Sequence, residues 1–376
     1  MKRKIKVCFV QSFGYSVFNP DSNARIGGAE VDLYNIATEL AKDERFDVYF
    51  LVADFGQKDI EIYNGVKVIK GHSQKKTLKN FLYSFYIFYK KLHQINADIY
   101  FTANLSKYVG LTNFYCKIFR KIHIHRTEHE GQVIKSHIIK NILKGKLKYL
   151  LFYLGFINVN HIVVQNDEHQ RLLKKTFNFP STVIRNSYII PPYNKIPREF
   201  ILWVARGEKW KRPEIFIELA KAFPTESFVM IMPSGSDKDF FNKIKNRAKK
   251  LKNLKFIPGV PFSEVNEYYK RAKVFVNTSL SEGFPNSFNQ AMNASTPILS
   301  LNINPDNFIN KYNVGLYCNN DFELLKENLN VLLKNEDLWK NLSENSLEFV
   351  KEHMNIKKSI KIWKKIFLYF YNKLKK

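Results

Sequence analysis

The chain has 376 residues, 45% of them hydrophobic and 15% aromatic, which excludes a disordered protein and favours two domains over one core. Its three cysteines, Cys8, Cys116 and Cys318, are far apart; this excludes a disulfide scaffold and a cysteine-based zinc site and fits a reducing compartment. The formal net charge of +26 comes from 48 Lys and 12 Arg against 34 Asp+Glu, which points to a membrane surface, an anionic substrate or nucleic acid, although recognition by planar forks favours Arg over Lys.

Short apolar runs alternate with helical ones. Ile5–Val10 reads as a buried strand, and Leu33, Ile36, Ala37 and Leu40 mark one face of a helix over 29–42. Further strands are expected at 46–52, 66–69, 98–102, 121–125, 161–165 and 182–185, with helices near 77–94, 106–119, 136–155 and 167–177. A break at 187–199, with Pro191, Pro192 and Pro197, reads as a linker. The pattern restarts with strands at 200–205, 228–232, 254–257, 274–277 and 297–301, and helices near 213–222, 238–251, 263–272, 286–294, 321–334 and 336–353. The stretch 356–376 is helical and aromatic and carries eight Lys and no acid.

This alternation predicts an α/β fold of two doubly wound, Rossmann-like domains facing a cleft, over 1–190 and 191–354, each with a parallel sheet covered by helices on both faces. Ligands of such sheets sit beyond the carboxyl ends of the strands. The apolar run Val7 to Val10 is too short for a signal peptide, and Tyr149 to Val159 is about half of a spanning helix. The expectation is a cytoplasmic protein, peripheral on the inner face of a membrane where it touches one.

Three clusters carry candidate chemistry. Gly27 and Gly28, followed by Ala29-Glu30, open the first helix; they let backbone approach a ligand at a helix N-terminus that favours an anion, or they form a plain turn. Arg206 and Lys211 follow the first strand of the second domain, and Pro213 starts the next helix. Two cations there suit a diphosphate, Arg as a fork and Lys as a point charge. The third cluster runs Ser279-Leu280-Ser281-Glu282-Gly283-Phe284-Pro285-Asn286-Ser287-Phe288-Asn289-Gln290-Ala291-Met292. A strand ends, a Gly-Phe-Pro turn follows, and a helix begins near Asn286, so free N–H groups of Gly283 to Asn286 point at an anion while Glu282 accepts from sugar hydroxyls or caps the helix.

The run Glu282–Met292 resembles the signature loop of the retaining glycosyltransferases of family 4, the group 1 transferases, which have the GT-B fold. Gly27 and Gly28 resemble that family's amino-terminal glycine loop. Arg206 and Lys211, five apart, resemble its diphosphate-binding pair, and Gly259, in Phe256-Ile257-Pro258-Gly259, resembles the strand end near the nucleotide base. The family commonly has a second Glu eight positions after the first, holding the ribose; this chain has Gln290, which keeps an acceptor, adds a donor and loses the charge-assisted bond.

The resemblance implies a His near the transferring sugar. His129, followed by Glu130, is the candidate within Ile122–Glu130, and His125 is the alternative; zinc binding by His123, His125 and His129 lacks diagnostic spacing. Asp237-Lys238-Asp239 lies between a strand and a helix, where capping is the expected role.

The resemblance thus implies a retaining, metal-independent transfer of a sugar from a UDP- or GDP-sugar to a glycan or lipid-linked glycan, in cell-surface polysaccharide synthesis, with no cofactor. Glu282 and His129 would face the donor sugar, the N–H groups after Glu282 would join Arg206 and Lys211 on the diphosphate, and the final helix would pack on the first domain. Two aromatic-basic stretches, Lys79–Lys91 and Lys140–Phe156, suit an anionic leaflet; residues 71–160 hold 15 Lys+Arg and three acids. The rival readings are a sugar-nucleotide epimerase of the same fold, a basic nucleic-acid-binding protein and a catalytically silent binding protein.

Overall fold

The structure is a computed structural model that describes residues 3–19, 22, 28–73, 78–128, 130–187 and 196–375. The chain divides into two compact units, Met1–Ile189 with Ile356–Lys376, and Ile190–Asn355.

The first unit is built on eight strands: β1 (Ile5–Val10), β2 (Phe46–Val52), β3 (Ile60–Tyr63), β4 (Val66–Lys70), β5 (Ile99–Ala103), β6 (Ile122–Arg126), β7 (His161–Val164) and β8 (Ser181–Val183). Their order is β3-β4-β2-β1-β5-β6-β7-β8. Central β1 and β5 are buried at nearly every position, as strands covered on both faces must be. All neighbours run parallel except β3 and β4, which form an antiparallel hairpin at the sheet edge. The hairpin turns at Asn64-Gly65, with φ of 49° and 80°, the paired left-handed conformation that an Asn-Gly turn adopts cheaply. The wholly parallel sheet expected from the sequence is therefore corrected: β3 is short, half-exposed and easily passed over.

One face of this sheet packs Phe9, Phe50 and Phe101 against the helices Gly28–Ala41 and Ile356–Lys375. Trp363 of the final helix is fully buried, edge-on to Phe101 with ring centroids 5.2 Å apart, and Lys364 pairs with Asp43 at 2.8 Å. The other face carries the helices Leu78–Ile95 and Lys107–Ile118, with Phe88, Leu92, Leu111 and Tyr115 in its core. The single helix expected over 136–155 is two, Lys135–Leu143 and Leu147–Phe156, separated at Gly145, whose φ is +70°. Apolar periodicity continues across Lys144-Gly145-Lys146 and hides that break. Leu147–Phe156 crosses Lys107–Ile118 through two glycines: a Cβ on Gly110 would lie 2.2 Å from the Leu151 carbonyl oxygen, so only glycine permits the approach.

The second unit has six strands, β9 (Phe200–Val204), β10 (Phe228–Ile231), β11 (Leu254–Ile257), β12 (Ala272–Asn277), β13 (Ile298–Ser300) and β14 (Gly315–Tyr317), in the order β11-β10-β9-β12-β13-β14 and parallel throughout. Apolar clusters on both faces bury Trp203, Phe216 and Met230 on one side and Phe275, Phe288 and Phe308 on the other. The three-residue edge strand β14 is too short for its period to show in the sequence.

Candidate functional site

In the second unit the loops after β9 and β12 are laced together, and the lacing positions the charged groups. Trp203, buried at the end of β9, donates its indole N–H to Thr278 Oγ1 at 2.9 Å. The Thr278 hydroxyl in turn donates to the Lys211 carbonyl at 2.6 Å. Leu280 N donates to the Trp210 carbonyl at 2.8 Å. Arg212, which adopts a left-handed φ of 49° just before Pro213, spreads its guanidinium over the Thr278 carbonyl at 2.6 Å and Asn320 Oδ1 at 2.7 Å. These bonds seat Lys211 Nζ in an ion pair with Glu282 Oε1, with both side chains largely buried.

Arg206 stands one residue beyond Ala205 at the end of β9. It is exposed; its carbonyl accepts from Glu208 N at 2.8 Å, and its guanidinium makes no ion pair or hydrogen bond with any described residue. The backbone beside it is rigid: Gly207 N donates to the Pro233 carbonyl at 2.9 Å, and buried Glu208 accepts from Ser236 N at 2.9 Å and Ser236 Oγ at 2.8 Å. A fixed loop thus carries a free guanidinium, the arrangement that recognises an anion without reorganising.

Past β12, Gly283, Phe284 and Pro285 are buried, and the Phe284 ring packs 4.8 Å from Phe308. The helix Asn286–Asn293 starts at Pro285, which offers no side-chain cap, so its N-terminal end keeps its partial positive charge. Gln290 lies half-buried on this helix, its amide 3.5 Å from Asn266 Oδ1. Gly259 is exposed beyond β11 with a φ of 150°. Asp237 accepts from Phe240 N at 2.9 Å, capping the helix Lys238–Ala248, and pairs with Lys209 at 3.1 Å.

In the first unit Gly28 opens its helix, whereas Gly27 and His129 lie outside the described residues. His123 and His125 are fully buried, and the Thr102 hydroxyl sits between them, 2.8 Å from His123 Nε2 and 2.9 Å from His125 Nδ1. Burial pushes the His123 imidazole down to about 3 and His125 well below its ordinary value, so both rings are neutral. The rings of Phe152 and Phe156 flank His125. The alternative role of His125 as a group exposed to a ligand thus meets a ring enclosed within the unit.

Sequence reading passed over a buried charge network here. Arg126, fully buried at the end of β6, pairs with Asp32 and donates to Asn186, and its Nε lies 3.6 Å from Glu128 Oε1. Asp32 also accepts from Ser187 N at 2.8 Å, and Asn35 donates to the Ser187 carbonyl at 3.1 Å. Burial pushes the Glu128 carboxyl up to about 7, aided by the negative charge of Glu30 and opposed by Arg126 and the bond from Gln165. The available signal was an Arg and a Glu two apart at a strand end, in a segment weighed for its histidines.

Residues 190–349 match the family described as glycosyl transferases group 1. An uncharacterised glycosyltransferase of Methanocaldococcus jannaschii is 25% identical, over 91% of this chain and 95% of its own length. The alpha-monoglucosyldiacylglycerol synthase of Acholeplasma laidlawii is 30% identical over 35% of this chain and 33% of that enzyme. Among solved structures, sucrose-phosphate synthase from Thermosynechococcus elongatus has a TM-score of 0.79 at 14% identity, covering 98% of this chain and 100% of that one. WaaG, a glycosyltransferase involved in lipopolysaccharide biosynthesis, has a TM-score of 0.68 at 14% identity, covering 95% and 99%. The structural likeness carries the GT-B fold, and residues 190–349, most of the second unit, carry the match to the group 1 glycosyl transferases.

Proposed function

We propose that the chain moves a sugar from a UDP- or GDP-sugar to a hydroxyl of a glycan or lipid-linked glycan, with retention of anomeric configuration, in cell-surface polysaccharide synthesis. The observation that supports this most is the unpartnered Arg206 on the same rigid loop as Lys211, whose ammonium is paired with Glu282. A diphosphate would take Arg206 as a fork and Lys211 as a point charge. Negative charge grows on the leaving phosphate as the glycosidic bond breaks, so cations already held in place stabilise the transition state more than the ground state. The uncapped N-terminal end of Asn286–Asn293 adds to this field. In this reading these groups replace a metal.

Glu282 then has two tasks, fixing the Lys211 ammonium and accepting from hydroxyls of the donor sugar. Gln290 offers both a donor and an acceptor to a ribose, and Gly259 leaves room for the base. Gly27, Gly28 and His129 keep the phosphate and sugar contacts that the sequence resemblance gives them.

The first unit supports an anionic membrane surface, the inner face in this reading, as the second partner. Phe114, Ile118, Leu147, Leu150 and Leu154 are exposed on two helices that cross in contact, and Lys140, Lys144, Lys146 and Lys148 are exposed around them. No described helix is long and apolar enough to cross a membrane.

The test is a panel of UDP- and GDP-sugars scored by thermal stabilisation and slow donor hydrolysis, with Arg206→Ala and Glu282→Ala alongside, and proton NMR of the first-formed anomer. Binding of one donor that both variants weaken supports the reading. If no nucleotide-sugar binds, or both variants bind as well as wild type, the donor site is misassigned.

A further inference from the structure

We propose that Thr127, Glu128, Gln132 and Gln165 form a polar subsite in the first unit that takes a hydroxyl-rich group, a sugar ring or a glycerol. The proposal rests on the transferase reading only in naming that group as part of the acceptor.

The residues sit where a doubly wound sheet presents ligands, beyond the carboxyl ends of neighbouring strands. β6 and β7 pair in parallel with Arg126 opposite Val163, and Thr127 N continues the ladder to the Val163 carbonyl at 3.0 Å. Glu128 follows on one strand and Gln165 on the other. The turn Glu130–Gln132 brings Gln132 back beneath them, its Oε1 accepting from Glu128 N at 2.6 Å.

The bonds that are made define those that are not. Gln165 Nε2 donates to Glu128 Oε2 at 2.5 Å, which leaves Gln165 Oε1. Gln132 Oε1 is used, which leaves Gln132 Nε2. Together with Thr127 Oγ1 and Glu128 Oε1, these four atoms are shielded from solvent and have no hydrogen-bond partner among the described residues. Thr127 and Gln132 are fully buried and Gln165 nearly so, while the Glu128 side chain keeps 9% of its exposure, which places the group at the rim of the unit. Buried polar atoms are normally paired, and one left unpaired opposes folding. Four such atoms, on residues gathered just beyond the ends of β6 and β7, point to an occupant.

Their chemistry selects among occupants. A metal ion wants oxygen acceptors only; here Gln132 Nε2 is a donor and the Arg126 guanidinium lies 3.6 Å from Glu128 Oε1. An anion is opposed by the Glu128 and Asp32 carboxyls. A hydroxyl both donates and accepts, so vicinal hydroxyls satisfy a set of one donor, two acceptors and one group that does both.

The test is saturation-transfer difference NMR on the full chain, with glycerol, methyl α-D-glucopyranoside and methyl α-D-mannopyranoside as probes. Gln132→Met removes the free donor and, with it, the acceptor of Glu128 N, whereas Thr127→Val removes an unpaired hydroxyl at near-constant volume and so keeps the test open where the first variant fails to fold. The expected result is a signal from at least one probe that falls threefold or more in the variants, while thermal stabilisation by UDP stays unchanged. Absence of signal from every probe, or signals that the variants retain, overturns the proposal and leaves the four atoms to water. Arg206→Ala separates the two readings: it lowers nucleotide binding and leaves the sugar signal. Were the nucleotide panel to fail while the sugar signal still depended on Gln132, the subsite would stand without the donor assignment.

Discussion

Lys211 and Glu282, 71 residues apart, meet as an ion pair because Thr278 holds the loops after β9 and β12 together, accepting from Trp203 and donating to the Lys211 carbonyl. The pair is largely buried, so each partner depends on the other. Lys211→Ala leaves the Glu282 carboxylate unpaired and is expected to destabilise the second unit by about 1–3 kcal/mol. Lys211→Ala with Glu282→Ala should recover part of that loss, measured as a coupling energy by urea denaturation. Additive losses would mean that the pair has no structural role. Arg206→Ala, which breaks no hydrogen bond or ion pair to a described residue, should instead leave the melting temperature unchanged and weaken UDP-sugar binding by roughly 10- to 100-fold.

The Asp32–Arg126 pair is a different case, because both side chains are almost completely buried. Asp32→Ala removes the carboxylate that pairs with the buried Arg126 guanidinium and should cost about 3–5 kcal/mol. It also removes the acceptor for Ser187 N. The double variant Asp32→Leu/Arg126→Met should be more stable than the single one in urea, since the buried guanidinium is then removed together with its carboxylate partner. Equal stabilities would show that the cost lies in the lost Ser187 bond.

Glu128 makes stability depend on pH in a defined direction. Its carboxyl is held near 7 in the folded chain by burial, against an ordinary value of 4.5. Between those values the unfolded chain has lost the proton that the folded chain keeps, so stability falls as pH rises from about 4.5 to about 7 and is flat on either side for this group. The charged groups facing it are Arg126, which favours the ionised form, and Glu30, which disfavours it. Glu128→Gln removes the proton, so its melting temperature relative to wild type should climb between pH 5 and pH 7.5. A constant difference across that window would contradict the assignment.

Membrane association should depend on the exposed leucines as well as on the lysines. Leu147→Glu and Leu154→Glu sit on a solvent-facing side and should fold normally. Each should reduce co-sedimentation with vesicles of phosphatidylglycerol and phosphatidylcholine several-fold at moderate salt, where charge alone is screened. Binding that depends on salt but not on these leucines would indicate adsorption through charge only.

The sequence by itself determined the fold class, because buried parallel strands and their covering helices write a strong local period. Ile5–Val10 and Phe46–Val52 are strands over the expected residues, and Pro213–Ala222 and Glu336–His353 are helices over theirs. It also determined that Glu282 would stand between a strand and the helix that follows, since a Gly-Phe-Pro turn after an apolar run leaves little choice. What lacks a local period escaped it: the half-exposed β3, the three-residue β14 and the break at Gly145. Only the tertiary structure decided which groups touch. The Thr278 bridge, the Arg126 network and the unsatisfied atoms around Glu128 join residues far apart in the chain, and a polar group's partner is set by burial and approach in space, which no spacing along the sequence encodes.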